Sequence, residues 1–397
     1  MPSAATVHAT VTPGIDRLLT VDRGLIAGRR VGLLCNPASV DARFQHTADR
    51  LKNDPEITLV ALFGPQHGFR SDLQDNMVET PHGRDCRRQV PIYSLYSETR
   101  EPTSDMLRGL EVLVIDLQDV GTRVYTFVYT MANCMRACAR HGIRVVVCDR
   151  PNPIGGEQVE GTRLLEPWTS FVGQFPIPMR HGLTIGELAR LFNEEFGIGA
   201  ALDVVPLEGW NRNAYLDDTG LPWIIPSPNL PTLDSAIVYP GAVLFEGTLL
   251  SEGRGTTRPF ELIGAPWIDG DRLAEAMNAR RLPGVHFRPA FFEPTFQKHA
   301  KRSCGGVQLH VLDRQTFLPL RTAVELIAEF HAANPDRFEW REPPYEYEHD
   351  KEPIDILYGT DQLRRTIDSG GDLRALITGW REEEDDFRRQ REPYLLY

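Results

Sequence analysis

The sequence lacks the short motifs that identify several common classes of site. Its six cysteines form no CxxC pair and match no zinc spacing, so we find no disulfide framework, which favours a reducing compartment. GxGxxG, a Walker A lysine, HExxH and GxSxG are also missing. These absences argue against dinucleotide binding, P-loop chemistry, a zinc protease and a serine hydrolase. We therefore predict no cofactor and no metal.

An excess of positive charge and a long apolar run are also missing. The net charge of −12 and a sequence pI of about 5.5 argue against partners such as nucleic acid or an anionic membrane surface. No run is long enough to span a bilayer, and the N-terminus lacks the charged and apolar regions of a signal peptide. As given, the chain is expected to be cytoplasmic. A translation start further upstream would leave a periplasmic or secreted location open.

What the sequence does contain is strand-like runs that alternate with helical patterns. The 397 residues favour two domains. We predict a Rossmann-like, mostly parallel α/β sheet domain over residues 1–230, followed by a smaller α+β domain over 231–397 that completes a cleft. Five prolines in 221–242 predict an extended connection there. The runs rich in Val, Ile and Leu cover residues 30–38, 57–65, 111–119 and 143–153.

Polar residues follow these predicted strands. Gln66 and His67 come after the second run, Asp116 and Asp119 close the third, and Asn152 follows the fourth. In doubly wound sheets, ligands bind beyond the carboxyl ends of the strands. The sequence therefore predicts a site at this edge, although a single residue such as His67 is more often structural than catalytic.

Two further segments combine charge with flexibility or aromatic rings. Residues 246–261 contain Glu246, Glu252 and Arg254 among several glycines, which allow close backbone approach to a ligand. Residues 116–130 contain Arg123 and two tyrosines, Tyr125 and Tyr129, whose rings can pack on a sugar. The alternative for the first segment is a surface turn with ion pairs, and for the second a capped helix with a structural ion pair.

Several long motifs stand in a fixed order from about residue 30 to the end of the chain. They are LFGPQHGFR (62–70), IDLQDVGTRVYTF (115–127), DRPNPIGG (149–156), PIPMRHGLTIGELA (176–189), PSPNLPT (226–232), LFEGTLLSEGRGTTRPFELIGAPW (244–267) and REPYLLY (391–397). With these motifs the sequence resembles the NamZ-type exo-β-N-acetylmuramidases, a family long described only as a domain of unknown function. The resemblance implies removal of β-linked N-acetylmuramic acid (MurNAc) from the non-reducing end of peptidoglycan fragments, in cell-wall turnover and recycling. It also implies a Rossmann-like domain that binds no nucleotide.

One residue departs from the pattern that the resemblance implies. Many relatives read GPEHG after the second strand, with the glutamate a proposed catalytic acid, whereas this chain has Gln66. An amide cannot donate a proton as a carboxylic acid does. Either another carboxylate is the acid, or the family proposal is wrong, or this member has altered activity.

Glycoside cleavage sets the demands on such a site. The leaving oxygen must be protonated and oxocarbenium charge relieved, commonly by two carboxylates, although a 2-acetamido group can also attack. Our catalytic candidates are Glu246 or Glu252 as the acid, with Asp116 or Asp119 polarising the reacting centre.

Binding must also accommodate the lactyl carboxylate of MurNAc, for which an arginine fork is suited. Arg254 is the first candidate and Arg123 the second. Two alternatives remain open: a non-catalytic protein that binds muropeptides or amino sugars, and a hydrolase of another acetylated amino sugar. The full set of substrate-binding candidates is Gln66, His67, Arg123, Tyr125, Tyr129, Asn152, Asn229 and Arg254.

Overall fold

The apolar runs of the first half form the centre of a parallel sheet. A computed structural model describes residues 11–75 and 77–397. Its strands β1, β5 and β6 are buried on both faces, as the continuous Val, Ile and Leu runs predict. Up to residue 205 the strands are β1 Arg30–Cys35, β2 Thr58–Gly64, β3 Gly83–Asp85, β4 Val90–Ser94, β5 Val112–Asp116, β6 Arg144–Cys148, β7 Glu160–Arg163, β8 Pro178–Arg180 and β9 Leu202–Val205.

Seven of these described strands make one sheet in the order β3-β4-β2-β1-β5-β6-β9. The β3–β4 pair is antiparallel and the other pairs are parallel. From β1 the chain adds β2 and β4 on one side of the sheet, and it then returns to add β5, β6 and β9 on the other side. The topological switch point therefore lies between β1 and β5. The predicted Rossmann-like, mostly parallel α/β domain is confirmed.

Helices pack beside this sheet and begin and end at recognisable signals. The capping box at Thr184 and Glu187 opens α4, and Gly142, in the left-handed conformation, ends α3. The helices before residue 200 are α1 Gly14–Leu18, α2 Thr47–Asn53, α3 Phe127–His141 and α4 Ile185–Glu194.

The second half forms the smaller α+β domain that the sequence predicts, and the structure shows that its sheet is antiparallel. Strands β10 Leu262–Ala265, β11 Val285–Phe292 and β12 Cys304–Val311 pair in the order β10-β12-β11. No helix within residues 11–75 and 77–397 has both the length and the apolar composition needed to cross a membrane. The helices of this half are α5 Leu233–Ala242, α6 Gly270–Ala279, α7 Pro319–Ala333, α8 Pro353–Tyr358, α9 Gln362–Asp368 and α10 Leu373–Arg391.

The extended connection predicted over residues 221–242 is wrong in its second half, because α5 occupies it. The Thr232 side chain accepts a hydrogen bond from the Ser235 amide and caps the helix. Pro240 lies in the last turn, where the chain passes directly into a 3-10 helix over Val243–Gly247. Nearly every α5 side chain from Ser235 onward is buried, so tertiary packing outweighs the helix-breaking tendency of proline.

Candidate active site

A pocket lies where loops of the first domain meet the arginine loop of the second. Six of the predicted residues line it: Gln66, His67, Tyr125, Asn229, Glu246 and Arg254. The space between the lining atoms is about 510 Å³, including the part that opens to solvent. The structure adds lining residues that the sequence analysis did not propose, among them Ser227, Tyr239, Phe260, Tyr345 and Glu346.

Glu246 and Arg254 form a buried ion pair at this pocket. Nη2 of Arg254 lies 2.6 Å from Oε1 of Glu246, and the Tyr345 hydroxyl donates to Oε2 of Glu246 at 2.8 Å. Burial alone would lower the pKa of Arg254, but the carboxylates of Glu246 and Glu252 raise it above its ordinary value. Arg254 is therefore a permanent cation in the pocket wall.

The glycines beside Arg254 are required by the backbone. Gly253 and Gly255 have φ angles of 77° and 80°, in the left-handed region. A Cβ on Gly255 would lie 2.6 Å from the Phe296 carbonyl oxygen, and one on Gly253 would lie 2.7 Å from that of Leu262. The glycines thus let the loop turn tightly enough to bring the guanidinium to the pocket.

Gln66 and His67 line the same pocket and are held in fixed orientations. The Thr126 hydroxyl donates to Oε1 of Gln66 at 2.6 Å, so the amide nitrogen faces Oε1 of Glu346, 3.5 Å away. Nδ1 of His67 donates to the Leu73 carbonyl at 2.7 Å. Burial, together with the charge of Arg254, lowers the pKa of His67 to about 4, so the imidazole is neutral at neutral pH.

Glu346 is the carboxylate that the sequence analysis missed. It is 3% exposed, and the Tyr96 hydroxyl donates to its Oε2 at 2.9 Å. Burial first, and the nearby charge of Glu246 second, raise the pKa of Glu346 to about 7. Its segment, PPYEYEHD (343–350), contains no motif, and 280 residues separate it from Gln66, so only the folded chain reveals the contact.

A strained turn presents Glu346 to the pocket. The backbone groups of Tyr345 and Glu348 exchange two hydrogen bonds of 2.9 Å, and the two residues between them have φ angles of 45° (Glu346) and 69° (Tyr347). Such turns favour Asn-Gly, and a bulky residue in this region costs on the order of 1 kcal/mol. Arg100 packs over the Tyr347 ring with its Cζ 4.6 Å from the centroid.

The structure does not bring Asp116 or Asp119 to the pocket. Asp116 lies at the topological switch point, where Arg150 donates to it through Nε at 2.5 Å and Nη2 at 2.9 Å. Asp119 accepts from the Gly121 amide at 2.8 Å and lies 3.4 Å from His181. Both carboxylates are therefore engaged in internal contacts, and neither lines the pocket.

Arg123 and Asn152 also lie outside the pocket and bind the chain's own backbone. Arg123 is fully buried and donates to the carbonyl oxygens of Thr162, Ile177, Leu357 and Tyr358 at 2.7–3.0 Å. Asn152 donates to the Leu183 carbonyl and accepts from the Ile154 amide. Their geometry favours structural roles.

Tyr129 and Glu252 lie behind the functional surface. Tyr129 packs among aromatic rings, with its centroid 6.4 Å from those of Phe175 and Phe192. Burial would raise the pKa of Glu252, but the charges of Lys298 and Arg254 outweigh it and hold that pKa below its ordinary value. Glu252 is therefore an ionised counter-charge, with Oε2 2.6 Å from Nζ of Lys298.

Comparison with known proteins decides the family. The model of the N-terminal domain of the exo-β-N-acetylmuramidase NamZ matches residues 31–234, and that of its C-terminal domain matches residues 237–397. The chain belongs to the NamZ exo-β-N-acetylmuramidase family. The predicted family membership is confirmed.

Three NamZ-family relatives illustrate the likeness. The peptidoglycan β-N-acetylmuramidase NamZ of Bacillus subtilis (strain 168) is 46% identical over 387 residues, which cover 98% of this chain and 91% of that protein. A crystal structure of a DUF1343 family protein from Bacteroides fragilis NCTC 9343 matches with a TM-score of 0.89 at 36% identity, covering 98% of this chain and all of that one. A second DUF1343 structure from the same strain gives a TM-score of 0.76 at 28% identity, covering 98% and 99%.

Proposed function

We propose that this chain is an exo-acting glycoside hydrolase that releases β-linked MurNAc from the non-reducing end of peptidoglycan fragments. The observation that carries the proposal is one pocket that holds two carboxylates, Glu246 and Glu346, beside the Arg254 guanidinium, in a chain of the NamZ family. Two carboxylates meet the demands of glycoside cleavage, and the cation suits an acidic sugar.

Arg254 is the proposed ligand for the lactyl carboxylate. Its Nη2 is paired with Glu246, and its charge is permanent because the pKa of the guanidinium is raised. A guanidinium in the pocket wall is suited to bind a carboxylate of the substrate. Gln66, Tyr125 and Asn229 complete the proposed sugar-binding walls.

The proposed cleft lies between a domain of residues 1–230 and a domain of residues 231–397. Gln66 and Tyr125 come from the first, and Arg254 and Glu346 from the second. The proposed partners are MurNAc-containing saccharides derived from peptidoglycan, with neither nucleic acid nor membrane as a partner. A cytoplasmic location, where imported fragments would be the substrates, remains part of the proposal.

The test is incubation with the disaccharide MurNAc-β-1,4-GlcNAc and separation of the products. Release of both monosaccharides is expected. The matched control is GlcNAc-β-1,4-MurNAc, which an exo-acting muramidase leaves intact because its non-reducing sugar lacks the lactyl group. Cleavage of this control instead would indicate a hydrolase of another acetylated amino sugar.

Gln66 motivates one second candidate, a non-catalytic protein that binds amino sugars. An amide at this position can hold a sugar hydroxyl but supplies no proton. This candidate predicts calorimetric binding of MurNAc-GlcNAc that weakens in Arg254→Ala, without turnover. Turnover of the bound disaccharide by the purified chain would exclude it.

A further inference from the structure

We infer that Glu346 is the general acid of this site, and that Gln66 and Tyr96 are positioning residues that hold its carboxyl group towards the glycosidic oxygen. The inference rests on the proposed function and assigns to a residue of the second domain the proton that Gln66 cannot supply.

The first support is the fixed position of the carboxyl group. Oε2 accepts from the Tyr96 hydroxyl at 2.9 Å, and Oε1 lies 3.5 Å from the Gln66 amide nitrogen. Thr126 fixes that amide by donating to its oxygen at 2.6 Å. Both oxygens of Glu346 are thus located by side chains of the first domain, although its backbone belongs to the second.

The second support is the turn that carries Glu346. Its two central residues keep left-handed backbone angles without a glycine or asparagine between them. The Tyr347 ring packs against Arg100 and against the ring of Tyr96, and these contacts anchor the turn. A sequence that retains such a turn gains the placement of one carboxyl group in a pocket.

The third support is the division of charge between the two carboxylates. The two carboxylate oxygens of Glu246 accept hydrogen bonds from the guanidinium of Arg254 and from the phenol of Tyr345. Glu346 faces the charges of Glu246 and Arg254, the phenols of Tyr96 and Tyr345, and the Gln66 amide. Burial and Glu246 raise its pKa to about 7, so a fraction of Glu346 is protonated at neutral pH.

The bond between C1 of MurNAc and the glycosidic oxygen breaks, its electron pair passes to that oxygen, and the Glu346 proton neutralises it. One water molecule supplies the hydroxyl group at C1. The remaining proton of that water restores the carboxyl group of Glu346, directly or through solvent.

The experiment compares Glu346→Gln with Glu348→Gln, a matched change in the same turn at a side chain that pairs with Lys351. Each variant is assayed on MurNAc-GlcNAc, whose leaving group needs protonation, and on 4-nitrophenyl β-MurNAc, whose leaving group does not. For Glu346→Gln we expect kcat on the disaccharide to fall at least ~100-fold. We expect a loss below ~10-fold on the nitrophenyl glycoside, and Glu348→Gln to resemble the wild type on both. Equal losses on both substrates, or none, would overturn the inference.

A second measurement covers the case in which Glu346→Gln folds poorly. Tyr96→Phe and Gln66→Met each remove one donor to the Glu346 carboxylate, so the alkaline limb of kcat/KM for MurNAc-GlcNAc should move to higher pH. A purely structural role lowers the whole profile without moving the limb, and that result overturns the assignment. Wild-type enzyme that cleaves neither substrate overturns the proposed function itself, whereas active wild type with an unchanged Glu346→Gln overturns the inference alone.

Discussion

The Arg254 guanidinium reaches the pocket already paired, with Nη2 2.6 Å from Oε1 of Glu246. Behind it, the Glu252 carboxylate is paired with the Lys298 ammonium at 2.6 Å. Two buried cations therefore balance the carboxylates of Glu246 and Glu252. The charges of these two carboxylates are compensated before an anionic sugar enters, although the protein as a whole has a net charge of −12.

The first prediction concerns Arg254→Lys. Lysine retains the charge but lacks the planar fork and its separate Nε donor. The loss of a hydrogen bond between charged groups costs about 1.5–3 kcal/mol, so KM for MurNAc-GlcNAc should rise roughly 10- to 100-fold. Steady-state kinetics on the disaccharide measure this change in KM.

Arg258→Lys is the control for that prediction. Arg258 lies four residues further along the same loop and is half-exposed, and its Nη1 lies 3.2 Å from Oε2 of Glu261 outside the pocket. Its replacement should change KM less than ~2-fold, because exposed ion pairs contribute little. An unchanged KM in folded Arg254→Lys would remove Arg254 from substrate recognition.

The second prediction tests the glycine turn with one substitution at two positions. Gly255→Ala places a Cβ 2.6 Å from a backbone oxygen at a positive φ, so the free energy of unfolding should fall by at least ~2 kcal/mol. Gly379 lies inside α10, and a Cβ added there would meet open space. Gly379→Ala should therefore raise the free energy of unfolding by about 1 kcal/mol. Urea denaturation of both variants measures these changes in the free energy of unfolding, which should have opposite signs. Equal changes would contradict the conclusion that the turn requires glycine at position 255.

The third prediction separates a structural role of Arg123 from binding. Arg123→Met leaves four buried carbonyl oxygens without their donor, so the free energy of unfolding should fall by more than about 3 kcal/mol. KM of the remaining folded enzyme should stay within ~2-fold of wild type, since Arg123 does not line the pocket. A raised KM at unchanged stability would restore the interpretation of Arg123 as a ligand for the substrate.

Sequence reasoning succeeded where the signal was local. The runs that became β1, β5 and β6, the Thr184 capping box and the arginine loop were all readable from neighbouring residues. The role of Asp116 could not be predicted in this way. An aspartate near an arginine such as Arg150 is equally typical of a binding site and of an internal ion pair, and only the folded structure shows that the two residues pair with each other. Glu346 was missed because its contacts with Tyr96 and Gln66 span 250 and 280 residues.

The last prediction concerns stability, since a buried carboxyl group with a raised pKa destabilises the fold once it ionises. The pKa of Glu346 is about 7 in the folded chain and about 4.5 in an ordinary setting, so the native state binds more protons than the unfolded chain between these values. The stability that this group contributes is complete below about pH 4.5 and is lost as the pH rises through 7. Glu346→Gln cannot ionise and escapes that loss.

The variant should therefore gain stability over the wild type as the pH rises. At about 1.4 kcal/mol per pH unit, the difference in the free energy of unfolding between Glu346→Gln and wild type should be larger at pH 8 than at pH 5 by about 2 kcal/mol. Asp149 and Glu160, whose pKa values burial also raises to about 7, are present in both proteins, so their contributions cancel. Urea denaturation at the two pH values measures the difference. A difference that does not change with pH would mean that Glu346 ionises as an exposed glutamate does, and the pocket would then lack a carboxyl group that is protonated near neutral pH.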